Sequence, residues 1–147
     1  MKLSTRTRYG TRALAELALA YPDKMLSAKE MAEKQDISSK YLEQIMSSLR
    51  AAGLVLSRRG LHGGYCLARA PGEVSVSEVY NILEGSEAPV DCIAEGQSCP
   101  LESICPARET WREVRDSIRN VLETTSLKEL AERLEDKYSD PPPMYQI

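Results

Sequence analysis

Apolar side chains in the first third of the chain recur at the three- and four-residue spacing of amphipathic helices. This spacing predicts a first helix over residues 5–20, which ends at Pro22 because proline cannot continue the hydrogen-bonded ladder. Ser27 and Glu30 then form a capping-box pattern, in which each side chain binds a backbone N–H group at the start of a helix. The pattern predicts a short second helix that extends to about Gln35.

A third helix and a hairpin follow. Ser38 can cap the third helix, and Gly53 is placed to end it. The inward positions of this helix are Leu42, Ile45, Met46 and Leu49. Residues 54–57 and 65–67 can pair as a hairpin around the basic, glycine-rich segment 58–64. Two short helices with a tight connection, followed by such a hairpin, form a winged helix-turn-helix pattern.

The next apolar positions predict a fourth helix and then a loop. Ser75 and Glu78 form a second capping box, which opens a helix that runs to about Glu84 and stops at Gly85. Residues 86–105 show little helical or strand periodicity and are predicted to form a loop.

A long helix is predicted to open at Pro106, since proline suits the first turn of a helix. This helix carries a narrow apolar stripe between charged neighbours, a pattern typical of the seam between two packed helices. The stripe consists of Trp111, Val114, Ile118, Val121 and Leu122. We assign four of these residues to a dimer seam: Trp111, Val114, Ile118 and Leu122. Ser126 opens a last helix that extends to about Lys137.

These elements predict a mostly α protein with a winged helix-turn-helix DNA-binding head, a β-hairpin wing and a long C-terminal dimerisation helix. The predicted head covers residues 1–85 and the loop covers 86–105. The dimerisation helix and the last helix occupy 106–137. The proline-rich segment 138–147 is expected to be an extended or disordered tail.

Charge is distributed unevenly over the 147 residues. Residues 1–70 carry 12 Lys and Arg against 6 Asp and Glu, a net charge of +6, whereas residues 71–147 carry 7 against 16, a net of −9. The basic first half favours a surface that contacts nucleic acid. No apolar run has the length of a membrane span and no secretory signal is visible, so we expect a cytoplasmic protein. The sequence lacks a nucleophile–base motif or a phosphate-binding glycine loop, which argues against an enzyme.

The polar side of the third helix offers groups for DNA recognition. Gln44 can pair with an adenine edge and Glu43 can accept a hydrogen bond from cytosine N4. Ser39, Lys40 and Tyr41 suit phosphates, which position a protein without reading sequence. Arg50 lies on the same polar side.

The tip of the predicted wing is basic. Arg58 and Arg59 can enter a minor groove, where narrow A·T-rich tracts attract arginine. His62 is the only histidine of the chain and is assigned a phosphate contact.

Three of the four cysteines, Cys92, Cys99 and Cys105, lie within fourteen residues of the loop in a C-x6-C-x5-C pattern. In a reducing cytosol such a cluster favours metal ligation or redox sensing over disulfides. Three thiolates suit an iron–sulfur cluster, of either the 2Fe-2S or the 4Fe-4S type. Zinc is the less favoured alternative, because structural zinc sites bring cysteines in closer pairs. The fourth cysteine, Cys66, is predicted to be a small buried side chain.

Several segments resemble the IscR-type family of winged helix-turn-helix transcriptional regulators. They are residues 1–10, residues 37–44 and the wing segment 59–65, followed by the cysteine loop and Trp111. This family includes iron–sulfur, nitric-oxide and iron-responsive repressors and a cluster-free repressor of cysteine metabolism. The resemblance implies a homodimer that binds a palindromic double-stranded DNA operator. It also implies that Glu43 reads bases and that Arg59 is the wing arginine.

The resemblance further implies that Cys92, Cys99 and Cys105 hold a cluster, yet the usual fourth ligand is missing. The family positions that supply it are here Arg108 and Arg8, and arginine is a poor ligand because it stays protonated. Glu95, Glu102, a residue of the other subunit or an exogenous molecule can take the place.

We therefore expect a homodimeric repressor whose DNA affinity is controlled by an iron–sulfur cluster in the cysteine loop. One alternative is a cluster-free or zinc-bound repressor that senses thiol oxidation. Another is a regulator that binds an enzyme partner through its acidic half.

Overall fold

The computed structural model describes residues 3–141, which form six α-helices and one antiparallel hairpin. The elements are α1 (Thr5–Ala20), α2 (Ala28–Gln35), α3 (Ser39–Ala51), β1 (Val55–Arg58), β2 (Gly64–Leu67), α4 (Val76–Leu83), α5 (Arg108–Thr124) and α6 (Leu127–Ser139). The predicted fold class, a mostly α winged helix-turn-helix protein with a long C-terminal helix, is confirmed.

The hydrophobic core is built around α1, whose residues 13–18 are all buried. The predicted inward face of α3 is confirmed, because Leu42, Ile45, Met46 and Leu49 are each at most 1% exposed. Side chains from the hairpin, α4 and α6 complete the same cluster, among them Val55, Leu67, Val79 and Leu127. Helix α1 therefore holds the helix-turn-helix, the hairpin and α6 against one core.

The predicted helix signals are present in the structure. Both capping boxes form, at Ser27 with Glu30 and at Ser75 with Glu78. Gly53 ends α3 with a φ of 79°, and the following Leu54 N–H donates to the Leu49 carbonyl at 3.0 Å. This is the Schellman pattern, in which a glycine turns the chain while the last carbonyls of the helix are satisfied.

The wing needs two adjacent glycines for steric reasons. β1 and β2 pair from Val55 opposite Leu67 to Arg58 opposite Gly64. A Cβ atom on Gly63 would lie 2.1 Å from the Arg58 carbonyl oxygen, and one on Gly64 would lie 2.5 Å from the Leu26 carbonyl oxygen. The second approach exists because the segment before α2 bridges to Tyr65 through two backbone hydrogen bonds, of 2.8 and 3.0 Å. The wing is thereby attached to the helix-turn-helix on its second side.

The strands predicted over 54–57 and 65–67 are found one residue away, at Val55–Arg58 and Gly64–Leu67, and two predicted helix boundaries differ from the structure by two residues. The long helix α5 begins at Arg108, two residues after Pro106, which lies in the preceding turn. The last helix continues through Ser139, so the first residues of the predicted tail are helical. Residues 142–147 of that tail lie outside the described residues.

Glu84 connects the end of α4 to the beginning of α1. Its Oε2 accepts hydrogen bonds from the Ser4 N–H at 3.2 Å, the Ser4 hydroxyl at 2.7 Å and the Thr7 hydroxyl. The hydrogen bonds from Thr7 and then Ser4 lower the pKa of Glu84 below its ordinary value of 4.5. The carboxylate also lies at a helix N-terminus, where the helix dipole favours negative charge.

Replacing Glu84 with glutamine should lower the free energy of unfolding by about 1 kcal/mol at pH 7, because the hydrogen bonds lose their charged acceptor. The folded-state pKa lies below the unfolded one. The stabilisation is therefore present above the unfolded pKa and is lost as the pH falls through the folded pKa. Urea denaturation at fixed protein concentration should show the difference from wild type shrinking below about pH 4.

Glu113→Gln is the matched control, since Glu113 is an exposed carboxylate on α5. This variant should have the wild-type free energy of unfolding both at pH 7 and below about pH 4. A Glu84→Gln deficit that stays constant down to about pH 3 would contradict the assigned role of the charge.

Candidate DNA interface and cysteine loop

Helix α3 presents the predicted base-reading side chains on one exposed face. The Ser38 hydroxyl caps the helix by accepting a hydrogen bond from the Tyr41 N–H at 3.1 Å. With the apolar side chains buried, the opposite face exposes Lys40, Glu43, Gln44, Ser47 and Arg50. Their contacts with DNA remain predictions, but the geometry brings them together.

Two of the predicted phosphate contacts are only half-exposed. Ser39 lies in the first turn of α3, and the Tyr41 ring packs edge-on against Tyr9, with ring centroids 6.2 Å apart and planes at 86°. Tyr41 therefore also fixes α3 against α1, a packing role that the helical pattern alone did not reveal.

The wing extends the same basic surface. Arg58, Arg59 and His62 are all exposed, and an Arg58 N–H donates to the His62 carbonyl at 3.4 Å across the tip. An Arg50 N–H donates to the Ser57 hydroxyl on β1 at 3.0 Å. This last bond joins the end of the recognition helix to the start of the wing.

The sequence interpretation missed two residues near this surface. An Arg6 N–H donates to the Ser48 hydroxyl, which places a cation of α1 beside α3. Leu61 at the wing tip is 96% exposed. The signal for Arg6 was the cluster of arginines at the start of the chain, but only the fold shows that it lies next to α3.

The three loop cysteines do not converge in this structure. Cys92, Cys99 and Cys105 are free thiols, each half-buried. Within residues 3–141, no three His, Cys, Asp or Glu side chains lie close enough to hold one metal ion. The expectation that the loop gathers three sulfur ligands is therefore not met by the geometry described, and cluster ligation by these residues remains a prediction.

Arginines on one face of α5 hold the cysteine loop in place. An Arg115 N–H donates to the Ile93 carbonyl at 3.2 Å. The Arg119 Nε–H donates to the buried carboxylate of Glu87 at 2.8 Å, and this hydrogen bond and charge raise the pKa of Arg119. Arg119 also lies 3.6 Å from Glu95. In the sequence these arginines looked like the flanks of the apolar stripe, and only the fold assigns them to the loop.

Arg108, the first residue of α5, makes a third contact with the loop. Its side chain is only 11% exposed and pairs with Glu102 at 2.7 Å. A second N–H of the guanidinium donates to the Cys92 carbonyl at 3.3 Å. The buried Nε–H has no hydrogen-bond partner among the described residues. An unpaired buried donor is costly, so this position favours an anionic or electron-rich group beside Cys92.

The apolar stripe of α5 lies beside the arginine-bearing face of the helix and is largely uncovered. Trp111 is 39% exposed, Val114 is 38% exposed and Val121 is 60% exposed, while Ile118 and Leu122 are half-buried. In the single chain described, α5 contributes no fully buried residue. The dimer seam assigned to this stripe is thus available on the surface.

Cys66 departs from its prediction. It lies on β2 opposite Leu56 and is half-buried rather than buried. The hairpin has its core on one side only, so the position opposite the exposed Leu56 is not covered by a second layer.

The fold and these surfaces define a winged helix-turn-helix DNA-binding protein with an appended cysteine loop. No helix within residues 3–141 has the length and apolar character needed to cross a membrane. Comparison with known proteins gives the same class.

The sequence model of the Rrf2 family, described as iron-dependent transcriptional regulators, matches residues 3–133. The rrf2 protein of Nitratidesulfovibrio vulgaris is 42% identical over 130 residues, which cover 88% of this chain and 87% of that protein. The structure of CymR, the global cysteine regulator of B. subtilis, has a TM-score of 0.77 and 38% identity, covering 90% of this chain and 98% of CymR. For IscR of T. potens, the TM-score is 0.75 at 33% identity, with coverage of 99% and 95%.

The chain therefore belongs to the Rrf2 family of DNA-binding transcriptional regulators. This confirms the predicted family resemblance and the prediction that the protein is a regulator rather than an enzyme. Because both IscR and CymR are similar to this chain, family membership does not distinguish iron–sulfur control from other control.

Proposed function

We propose that this regulator is a homodimer whose DNA affinity is set by the cysteine loop, with an iron–sulfur cluster held by Cys92, Cys99 and Cys105. The observation that carries the proposal is the set of hydrogen bonds by which Arg108, Arg115 and Arg119 of α5 hold the loop, which we name the clamp. The loop follows α4 of the DNA-binding head and is bound to the helix that bears the dimer seam. A change in the loop can therefore alter the relation between the head and the seam.

The donor chemistry fits a cluster. Three thiolates are the ligands that iron–sulfur centres use, and the buried Arg108 Nε–H is a donor that a sulfur-rich anionic group would satisfy. Such a group supplies a redox-active centre when bound. Binding requires the loop to bring its three thiols closer together than they lie here.

Arg108 would act beside such a group and not as its ligand. The guanidinium stays protonated and has no lone pair to offer. Of the candidate fourth ligands, Glu102 is engaged by Arg108, whereas Glu95 is 89% exposed and only loosely paired. A residue of the other subunit and an exogenous molecule also remain candidates for this position.

A second candidate function is a cluster-free repressor that senses thiol oxidation, or one that holds zinc in the loop. The observation in favour of the thiol-sensing form is that the three thiols are separate and half-buried in the structure, whereas zinc, like a cluster, would require the loop to bring them together. Similarity to CymR, a cysteine regulator, is compatible with it. Both candidates share the DNA-binding head, the loop and the seam, and they differ in what the thiols hold.

The proposed mechanism begins with the loop. When ordered, the loop is held by Arg108, Arg115 and Arg119 and fixes α5 relative to α4. In a dimer joined along the α5 stripe, the angle between α5 and α4 sets the separation of the two recognition helices on a palindromic operator. When the loop is disordered, the angle between α5 and α4 is no longer fixed. The population of the protein then shifts between forms that are competent and incompetent to bind DNA.

On DNA, we assign Glu43 and Gln44 to base edges and Arg59, with Arg58, to the minor groove beside the wing. Phosphate contacts are assigned to Ser39, Lys40, Tyr41, Arg50 and His62. These groups occupy one surface formed by α3 and the wing.

Binding to an operator selected in vitro should differ between protein purified without oxygen and the same protein stripped by an iron chelator. Brown, iron-containing protein with a changed Kd supports the cluster. Colourless protein whose Kd responds to thiol oxidation supports the second candidate. For either form, affinity should fall on the order of 10³-fold between 50 and 200 mM salt if about six phosphates are contacted.

The same titration tests the wing. Arg59→Ala should weaken binding most on operators with A·T-rich flanks, by about 1–3 kcal/mol. Arg133→Ala is the matched control, because Arg133 is an exposed arginine of α6, which is not part of the surface formed by α3 and the wing. Equal losses in both variants, or affinity that does not change with salt, would contradict the assigned DNA surface.

A further inference from the structure

A cavity of about 390 Å³ lies between α1, α2 and α6 and has no role in the function proposed above. Its polar lining consists of Arg12, Glu16, Lys34, Gln35, Lys137 and Tyr138. The rest of the lining is apolar and consists of Ala15, Leu134 and Pro141, the last described residue. This α1–α2–α6 cavity lies against the first helix of the helix-turn-helix.

The buried side chain of Gln35 is the evidence that the cavity binds a ligand. The residue is 7% exposed, and neither its amide Nε2 nor its amide Oε1 has a hydrogen-bond partner among the described residues. A buried amide left unpaired is costly and is rare in folded proteins. A molecule that offers a donor and an acceptor side by side would satisfy both amide atoms at once.

The charges around the cavity determine which kind of molecule this is. Glu16 is 7% exposed, pairs with Lys34 at 2.7 Å and accepts a hydrogen bond from the Tyr138 hydroxyl. Burial and then this bond to Glu16 raise the pKa of Tyr138, so the phenol remains a donor. The Glu16 charge is thus neutralised by Lys34.

Two further cations then carry uncompensated charge. Within residues 3–141, neither Arg12 nor Lys137 forms an ion pair, and Arg12 lies 5.9 Å from the centre of the Tyr9 ring. The cavity therefore combines an unpaired amide with surplus positive charge. A ligand with a carboxylate next to a hydrogen-bond donor meets both conditions.

We propose that the α1–α2–α6 cavity binds a free α-amino acid. Its carboxylate lies toward Arg12 and Lys137 and accepts from the Gln35 amide, while its ammonium group donates to Gln35 Oε1. The side chain of the amino acid occupies the apolar wall at Leu134. Occupancy joins the end of α2 to α6, and hence the helix-turn-helix to the C-terminal helix.

The test is a calorimetric titration of the full-length protein with each of the twenty α-amino acids, accompanied by thermal unfolding. At least one should bind and raise Tm, while its deamino analogue, the carboxylic acid that lacks the ammonium group, should bind at least tenfold more weakly, the loss of about one hydrogen bond. Absence of binding by all twenty would overturn the proposal.

Gln35→Leu should remove the response while leaving the ligand-free protein at least as thermally stable as wild type, because an unpaired buried amide is lost. Arg12→Gln changes an exposed side chain outside the core and should weaken binding about tenfold, keeping the test informative if Gln35→Leu fails to fold. Gln97→Leu alters an exposed glutamine elsewhere and should bind as wild type.

Two outcomes would contradict the assignment. Wild-type affinity in the Arg12→Gln protein would show that the amino acid binds elsewhere. Binding by a chain ending at Pro141, but not by the full chain, would show that the chain's own last residues take the site.

Discussion

Replacing any one of Cys92, Cys99 and Cys105 with alanine should abolish the binding of iron and sulfide by protein purified without oxygen. Each thiolate supplies both negative charge and a covalent bond to a cluster, so two remaining thiolates leave too few ligands. The three variants should therefore behave alike and should lose the difference in operator affinity between cluster-bound and stripped protein. Iron and sulfide analysis, with the visible absorbance spectrum, measures the first effect, and DNA titration measures the second.

Cys66→Ala is the matched control within the same chain. Its thiol is half-buried on the wing hairpin, so the substitution should cost no more than about 1 kcal/mol of stability and should leave the iron content unchanged. Iron-free Cys66→Ala protein beside iron-loaded Cys92→Ala protein would move the site to the wing. If no variant and no wild-type preparation contains iron, the thiol-sensing candidate stands in place of the cluster.

Arg108 offers a finer comparison in the same series. Arg108→Lys keeps the charge but loses the fork that joins the Cys92 carbonyl to Glu102. If the clamp positions the loop, this variant should retain iron and yet bind the operator with the affinity of the stripped protein.

Ile118→Asp should convert the dimer to monomers. Ile118 lies at the middle of the uncovered stripe on α5, between Trp111 and Leu122. In a two-fold symmetric dimer the substitution places two unpaired carboxylates in one apolar contact, which costs several kcal/mol. Sedimentation velocity should show a monomer, and operator affinity should fall on the order of 100-fold because the two heads no longer bind together.

Asn120→Asp introduces the same charge on the opposite side of the same helix and is the control. Asn120 is exposed and, by the helical period, lies on the side of α5 away from the stripe, so this variant should remain a dimer with wild-type operator affinity. A dimeric Ile118→Asp protein would place the seam elsewhere, and the proposed separation of the heads would fail with it.

Much of the fold could be predicted from the sequence because the signals that begin and end helices act within a few residues of themselves. Ser27 with Glu30, and Ser75 with Glu78, satisfy backbone groups within four residues of themselves, so each box identifies a helix start without knowledge of the rest. Gly53 ends α3 because the left-handed turn costs glycine little. The buried face of α3 followed from its 3.6-residue period alone.

The exposed face of α3, to which we assign the DNA contacts, was predictable to a similar degree. Once Leu42, Ile45 and Met46 are buried, helix geometry places Glu43 and Gln44 on the outside. The two-residue error at Pro106 has the same local origin, since proline favours a first turn but does not determine which residue begins it.

By itself, then, the sequence determined the helices, the hairpin, the exposed face of α3 and the presence of three thiols in one loop. Only the tertiary structure decided what touches that loop. Charge alternation on α5 is compatible with a solvated surface, whereas the fold directs Arg108, Arg115 and Arg119 to backbone and carboxylate groups 16 to 32 residues away in sequence. Gln35 likewise reads as an ordinary helix end until α1 and α6 close over it. Such contacts depend on how whole elements pack, and no local period or cap records that packing.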